Sequence, residues 1–221
     1  MPRPEAVDTL RPRLVEAAQA LGLALSAEQV DTLLDDLALL QRWNGTYNLT
    51  AVREPAQMLT QHLVDCLAVL PPLRRHLGEH RVARILDVGS GGGLPGIVIA
   101  ATCPSYDVTC VDTVGKKAAF IRQAAGELGL PQLHGEHARV EQLKAAPFDL
   151  VTSRAFASLA DFVRLTRQHL KPGGVWMAMK GKPPDAEQAE LPPDIDVFHV
   201  EPLNVPGLDA ERCLVWMRPR T

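Results

Sequence analysis

The stretch ARILDVGSGGGLPGIVIA, residues 83–100, joins an apolar strand to an apolar helix through an acid and a run of glycines. Glycines such as Gly89 and Gly91 let the backbone approach a ligand closely, since no Cβ stands in the way. Pro95 suits the first turn of a helix, where its missing N–H is not needed. The stretch therefore predicts the first strand-turn-helix unit of an α/β sheet, with a ligand site in the turn.

After residue 82, short apolar strands alternate with helices. Strands are expected at 81–88, 106–112, 133–136, 148–155 and 173–181, with helices at 95–103, 114–130, 138–145 and 159–170. This alternation is typical of right-handed βαβ units in a parallel, doubly wound sheet. Two further apolar runs, 194–203 and 212–218, are separated only by a turn-like segment, so we expect them to pair antiparallel. An α/β sheet of this kind, mostly parallel and closed by an antiparallel hairpin, is typical of the Rossmann-like class I methyltransferase fold.

The first 70 residues follow a different pattern, with apolar side chains at helical spacings of three and four. Ser26 and Gln29 form a capping box that opens the second helix. We expect Asn44-Gly45 to break that helix, and Pro71-Pro72 to end a third helix at about 56–69. The chain is accordingly divided into an N-terminal helical extension, residues 1–72, packed on the sheet, and a methyltransferase domain, residues 73–221.

Composition narrows the setting in which the chain works. The 221 residues are 46% hydrophobic, enough for one sizeable core with a small appendage. No apolar run reaches the length of a membrane span, and the N-terminus lacks the apolar centre of a signal peptide. The four cysteines are scattered, which favours reduced thiols over disulfides or a zinc site. We expect a cytoplasmic monomer without a metal; the net charge of −3 excludes no partner.

Two ligand classes compete for the glycine loop. The dinucleotide fingerprint G-x-G-x-x-G fits Gly91, Gly93 and Gly96, but several glycines in a row satisfy it easily. Asp87 ends the strand just before the loop, where its carboxylate would face a pyrophosphate at close range. S-adenosylmethionine has no phosphate; its ammonium group suits a nearby carboxylate, and its carboxylate suits a helix N-terminus. Asp87 and the closing hairpin thus favour S-adenosylmethionine over NAD(P).

Asp112 ends the second strand, 25 residues after Asp87. A carboxylate at this place can accept hydrogen bonds from both hydroxyls of a ribose, which indicates an adenosine-bearing ligand in either class. The structural alternative is an N-cap for the helix that begins in TVGKKAAF.

Several motifs, in order and spacing, resemble one family. LDVGSGGGLPGI, VDTVGKKAAFI, ARVEQ, FDLVTSRAFASL and MKGK are similar to the RsmG (GidB) family, the bacterial 16S ribosomal RNA guanine-N7 methyltransferases. WNGTYNLTAVRE and HLVDCLAVL resemble its N-terminal region, and DAERCLVWM its last strand. The resemblance covers about residues 30–218, and the combination of GSGGGLPG, SRAFA and KG is far more specific than one glycine motif.

The resemblance implies an S-adenosylmethionine site at the carboxyl ends of the strands. It adds five cofactor contacts to Asp87, Gly91 and Asp112: Gly89 and Leu94 in the loop, Val140 and Glu141 near the adenine, and Arg154 after the fourth strand. The alternative for Glu141 is a solvated acid on a short helix. For Arg154 it is a structural ion pair with an acid such as Asp87 or Asp112.

The implied substrate is 16S ribosomal RNA or a small-subunit particle, and the implied atom is guanine N7. That nitrogen has a lone pair and no proton to remove, so no general base is required and we assign no catalytic residue. Five basic residues at loop or strand-end positions are candidates for contacts to phosphate or to the guanine edge: Arg139, Arg154, Lys180, Lys182 and Arg212. The resemblance favours Arg139 and Arg212.

For three other polar residues, both a structural role and a functional role are considered. Asn48 either covers the active site or caps a helix. His62 and Asp65 share a helix face, and a packed His–Asp hydrogen bond is favoured over a metal pair. For the whole chain, the alternatives are a methyltransferase acting on another RNA or a small molecule, and an NAD(P)-binding oxidoreductase.

Overall fold

The computed structural model describes residues 3–78, 81–154, 156 and 158–220, in which seven strands form one sheet of order β3-β2-β1-β4-β5-β7-β6. The strands are β1 (Ala83–Val88), β2 (Tyr106–Asp112), β3 (Leu133–His137), β4 (Phe148–Ser153), β5 (Leu170–Lys180), β6 (Ile195–Pro202) and β7 (Cys213–Pro219). The first five pair parallel, whereas β7 pairs antiparallel with both β5 and β6. The predicted α/β sheet and its closing hairpin are confirmed.

Helices cover both faces of this sheet. They are α1 (Glu5–Asp8), α2 (Arg11–Ala20), α3 (Ala27–Tyr47), α4 (Pro55–Met58), α5 (Asp65–Leu67), α6 (Leu70–Leu77), α7 (Gly96–Thr102), α8 (Gly115–Glu127), α9 (Leu159–Thr166) and α10 (Asp185–Ala189). None of those described is long and apolar enough to cross a bilayer.

Alternation along the strands divides the apolar side chains between two cores. Ile85 lies in a core shared with the N-terminal helices, α7 and α8. Its neighbour Leu86 lies in a second core with Phe162 and Val163 of α9. The N-terminal helices therefore share a core with the sheet, as the predicted extension requires.

The predicted break at Asn44-Gly45 is wrong, because α3 continues to Tyr47 and ends at Asn48, which adopts a left-handed φ of 49°. The buried Asn44 amide serves tertiary contacts instead: Nδ2 donates to the carbonyl of Val52 (3.0 Å), and Oδ1 accepts from the N–H of Thr50 (2.9 Å). Asn44, a residue type common in turns, thus binds the backbone of the segment that follows the helix.

The third helix lies close to its predicted bounds and ends at Leu67, but the prediction that Pro71-Pro72 stop it is wrong. The helical stretch before it consists of α4, a π-helical segment Leu59–Val64 and α5. The two prolines then lie in the first turn of α6, where no intrahelical N–H is required. The predicted division between residues 72 and 73 falls inside α6, and the two-domain description stays a prediction.

Two boundaries near the ligand site differ from expectation. The helix predicted at 138–145 is a single 3-10 turn, Val140–Gln142. The strand predicted at 148–155 ends at Ser153, and its expected last residue, Ala155, lies outside the described residues.

Candidate functional site

The predicted site residues lie along one edge of the sheet, at the carboxyl ends of the parallel strands. Because β7 is antiparallel, its first residue is the one at this edge, where Cys213 pairs with Lys180 of β5. Arg139 follows β3 and Arg212 precedes β7, five strand positions away. At the usual strand spacing their backbones are separated by roughly 24 Å. The two favoured RNA contacts therefore flank the edge from opposite sides.

The glycine loop uses backbone conformations that favour glycine. Gly89, Gly91 and Gly93 have φ of 66°, 61° and 77°. A Cβ added at Gly89 or Gly91 would meet nothing within 4 Å, whereas one at Gly93 would lie 2.4 Å from Cδ1 of Ile97. The first two glycines thus leave open space in front of the loop, and the third allows close packing behind it.

Asp87 is hydrogen-bonded to the first residue of α7. Its side chain is fully buried, and Oδ2 accepts a hydrogen bond from the N–H of Gly96 at 2.9 Å. Oδ1 has no hydrogen-bond partner. Burial raises the pKa of Asp87 to about 7, against the opposing effect of the Gly96 N–H. Direct contact between Asp87 and a cofactor ammonium stays a prediction.

Asp112 joins the loop to the next helix. Oδ2 accepts from the N–H of Gly91 (3.0 Å), Oδ1 accepts from the N–H of Val114 (2.8 Å), and Lys117 Nζ lies 3.7 Å from Oδ2. The alternative of an N-cap is wrong as stated, because the N-cap of α8 is Val114 and no side chain caps it; Asp112 instead binds the N–H of Val114. Asp112 also lines a cavity, so this role and ligand binding are compatible.

Two cavities lie at this edge of the sheet, and the larger, of about 580 Å³, opens beside Asp112. It is lined by thirteen residues: Val88, Gly89, Val111, Asp112, Thr113, Val114, Lys117, Ala138, Arg139, Val140, Glu141, Phe156 and Leu165. Five of the predicted residues meet here: Gly89, Asp112, Arg139, Val140 and Glu141. Apolar walls with a few polar groups are typical of small-ligand sites.

A smaller cavity of about 160 Å³ lies on the other side of the loop. It is lined by Leu40, Leu49, Thr50, His62, Gly89, Ser90, Gly91, Gly92, Leu94, Lys117 and Arg154. Gly89 and Lys117 line both cavities, so the two adjoin at these residues and are together called the cleft. Here the predicted Gly91, Leu94 and Arg154 meet residues from α3 and the π-helical segment.

The expected His62–Asp65 hydrogen bond is wrong. His62 Nε2 lies 2.9 Å from Oγ1 of Thr50, and Nδ1 is buried without a partner. Burial and, secondly, the charge of Arg154 lower the pKa of His62, so its imidazole is neutral at pH 7. Within the described residues, no group of three or more His, Cys, Asp or Glu side chains is arranged to hold a metal ion.

Asp65 instead binds two arginines. Its Oδ1 accepts from Arg212 Nε at 2.9 Å, and its Oδ2 lies 3.5 Å from Arg154 Nη1. Arg154 also donates to the carbonyl of Gln61 at 3.1 Å. The alternative considered for Arg154, an ion pair, is correct in kind, but its partner is Asp65 rather than Asp87 or Asp112.

The other candidates lie outside both cavities. Lys180 donates to both oxygens of Glu187 in α10, at 3.0 and 2.8 Å, and Lys182 lies 4.0 Å from Glu211. Asn48 ends α3 and accepts a hydrogen bond from Arg53 Nη2 at 2.9 Å. Lys180 is thus committed to a contact within the chain, and Asn48 has the structural role.

The sequence analysis gave no site role to Lys117 and Phe156, which line the larger cavity, and considered Asp65 only as a partner of His62. Lys117 lies one helical turn into α8 after the Asp112 turn, a place that its motif already marked. Phe156 stands in the quoted SRAFA motif. Nothing local to Asp65 indicates its partners, which are 89 and 147 residues away in the chain.

Solved structures with a similar fold are methyltransferases. TrmN from Thermus thermophilus matches with a TM-score of 0.55 at 20% identity, over 73% of this chain and 53% of its own. This chain thus spans about half the length of TrmN. A T. thermophilus 16S rRNA methyltransferase, RsmC, solved with AdoMet and guanosine, matches with a TM-score of 0.51 at 18% identity, over 71% of this chain and 43% of its own. These matches confirm the predicted fold.

Sequence relatives are much closer. The sequence model of the family GidB, described as rRNA small subunit methyltransferase G, matches residues 29–215. Ribosomal RNA small subunit methyltransferase G of Acidovorax ebreus is 63% identical over 218 residues, covering 96% of each chain. The protein of the same name from Leptothrix cholodnii is 64% identical over 211 residues, again covering 96% of each. The chain therefore belongs to the rRNA small subunit methyltransferase G family.

Proposed function

We propose that this protein transfers the methyl group of S-adenosylmethionine to N7 of a guanine in the 16S RNA of the small ribosomal subunit. Family membership supports the substrate class. The observation that carries the proposal is the pair of adjoining cavities, whose walls contain the glycine loop, Asp112 and Arg154. The proposed setting is the cytoplasm, with the protein acting as a monomer.

The residues of the cleft fit S-adenosylmethionine. The larger cavity offers apolar walls for an adenine, with Glu141 at its rim, and Asp112 for the ribose hydroxyls. The open space before Gly89 and Gly91 leaves room where the backbone passes the ligand. The smaller cavity, with Arg154 in its wall, would hold the charged amino-acid end. When bound, the cofactor supplies an electrophilic methyl group on a sulfonium. The fold neighbour solved with AdoMet and guanosine supports this assignment.

Methylation at N7 suits the groups found in the cleft. The N7 lone pair attacks the methyl carbon directly, so the protein has to position the base rather than remove a proton. His62 has its Nε2 committed to Thr50. Cys66 and Cys110 are buried outside both cavity walls, and burial raises the pKa of their thiols, which keeps both protonated and poorly nucleophilic. The rate enhancement is then expected from in-line alignment and from electrostatics.

RNA has to approach the rim of the cleft. Arg139 is exposed and lines the larger cavity, where its guanidinium is available to a phosphate. A guanine of folded RNA would have to be splayed out of its stack to reach the methyl group. Arg139 and Arg212 are proposed as contacts that bind RNA from the two sides of this edge.

The test is to delete the gene and map N7-methylguanine in small-subunit RNA by reduction and aniline cleavage. Loss of one cleavage site, restored by the wild-type gene, is the expected result. An unchanged pattern would contradict the proposal. Thermal shift separates the oxidoreductase alternative, because we expect stabilisation by S-adenosylhomocysteine and none by NAD.

A further inference from the structure

Asp65 is a buried acid held by segments that are distant in sequence. Its side chain is 3% exposed, whereas those of Arg154 and Arg212 are each 26% exposed. Arg154 is the first residue after β4, and Arg212 is the last residue before β7. One carboxylate therefore fixes two guanidinium groups side by side at the edge of the sheet, each with part of its surface open to solvent.

The charges in this cluster do not cancel. Two guanidinium groups share one carboxylate, so the cluster keeps a net positive charge. The nearby Lys180, by contrast, is matched by Glu187. Arg154 donates one hydrogen bond to Gln61 and Arg212 one to the carbonyl of Glu211, which leaves further N–H groups of each guanidinium for a ligand. A rigid, partly exposed pair of guanidinium groups suits anionic oxygens.

The two arginines face different parts of the site. Arg154 lines the smaller cavity beside Gly91 and Leu94. Arg212 is not part of either cavity wall and lies beyond it, toward β7. A ligand in the cleft would meet Arg154, whereas a chain passing over the rim would meet Arg212.

We propose that Asp65 is a positioning residue that orients Arg154 toward the cofactor and Arg212 toward a backbone phosphate of the RNA, so that one carboxylate serves both binding events. This inference rests on the proposed function. A phosphate is favoured over the guanine edge for Arg212, because a guanidinium bound to N7 would block the lone pair that has to attack.

The experiment compares Asp65→Asn with the wild-type enzyme on 16S RNA. We expect the Kd for S-adenosylhomocysteine and the KM for RNA to rise about five- to tenfold, with a smaller change in kcat. The slope of log KM against log salt concentration should fall by about one, as for one lost phosphate contact. A purely structural Asp65 would lower the melting temperature and leave Kd, KM and the salt slope of the folded enzyme unchanged, which would overturn the inference.

The matched control is Asp196→Asn. Asp196 accepts from Arg218 Nε at 2.9 Å, the same geometry at the other end of β7, but both side chains are more exposed. We expect this variant to keep Kd, KM and the salt slope within twofold of wild type. An effect equal to that of Asp65→Asn would also overturn the inference.

Two further variants keep the inference testable if Asp65→Asn does not fold. Arg212→Lys should raise the KM for RNA alone, and Arg154→Lys should raise the Kd for S-adenosylhomocysteine alone. If both variants behave as wild type, the inference fails. An unmodified RNA after incubation with the wild-type enzyme would instead mean that the proposed function fails, independently of Asp65.

Discussion

The two cavities of the cleft are built from different parts of the chain. Residues 88–165, from the sheet and its connections, provide the whole wall of the larger cavity. The N-terminal third supplies four residues of the smaller cavity: Leu40, Leu49, Thr50 and His62. Its other residues come from the sheet and its connections. The larger cavity, proposed for the adenosine, is therefore formed without the N-terminal helices. The smaller cavity depends on them.

The difference suggests a division of labour. In the proposed function, the larger cavity holds the adenosine and the smaller cavity holds the reacting end. The N-terminal part of the chain thus supplies part of the wall of the smaller cavity, because Leu40 of α3 and His62 of the π-helical segment lie beside the glycine loop. Variants that damage one cavity and spare the other test this division.

The largest effect is expected from Gly96→Ala, which should damage both cavities. The added Cβ would lie 2.2 Å from Cys110 Sγ and 3.0 Å from Asp87 Oδ2, both buried. We expect the free energy of unfolding to fall by about 3 kcal/mol or more, with loss of S-adenosylhomocysteine binding. Chemical denaturation and calorimetry measure the two effects.

The control is Gly126→Ala on α8, where a Cβ would meet nothing within 4 Å. A gain of up to about 1 kcal/mol is expected there, since alanine favours a helix. Equal behaviour of the two variants would mean that the packing beneath the loop is not tight.

A smaller and pH-dependent effect is expected at Asp36, which lies on α3 one turn before Leu40 of the smaller cavity. Both carboxyl oxygens of Asp36 are buried without partners, and burial raises its pKa to about 7 from 3.8. The folded state therefore keeps a proton that the unfolded state loses above about pH 4. The free energy of unfolding should fall as pH rises from about 4 to 7 and then level off.

Asp36→Asn should remove this part of the pH dependence, so that its stability relative to wild type increases from pH 4 to pH 8. Denaturation at several pH values checks this, with the exposed neighbour Asp35→Asn as control. The contribution of Asp87, whose pKa is also raised, remains in every variant. A constant difference across pH would show that Asp36 is not the group responsible. We expect cofactor affinity to change less than twofold.

The smallest effect is expected from Asp112→Ala, which acts on the larger cavity. Removing the carboxylate should weaken S-adenosylhomocysteine binding by about 1–3 kcal/mol, as hydrogen bonds to the ribose and to Gly91 are lost. Calorimetry measures the change. Asp107→Asn, at the far end of β2 and paired with Arg84 and His134, should bind as wild type. Unchanged affinity for Asp112→Ala would leave Asp112 only its structural role.

The larger cavity was largely predictable from sequence, because its parts come from successive βα units. Asp112 ends β2, and Val140 and Glu141, which the resemblance supplied, follow β3; parallel strands bring their carboxyl ends to one edge. The predicted ends of these strands differ from the observed ends by at most two residues, because the local apolar pattern indicates where each strand ends.

The smaller cavity and its rim were not predictable in the same way. Helical spacing correctly placed His62 and Asp65 near each other, but their partners, Thr50, Arg154 and Arg212, come from other segments. Pairing among distant polar groups depends on the tertiary arrangement, which periodicity in one segment does not encode. The same reason explains the error at Asn44, whose amide is used by residues 50 and 52.

The direction of β7 has a consequence for how this enzyme can change. Because the strand runs antiparallel to both β5 and β6, the connection from residue 203 to 212 begins and ends at the reactive edge, where Pro202 pairs with Cys213. That connection lies outside both cavity walls. Val205 is buried in the core, whereas Asp209, Ala210 and Glu211 are exposed, and lengthening an exposed segment costs little conformational free energy. If Arg212 binds RNA as proposed, insertions or deletions at these exposed residues would change the RNA contacts and leave the walls of both cavities unchanged.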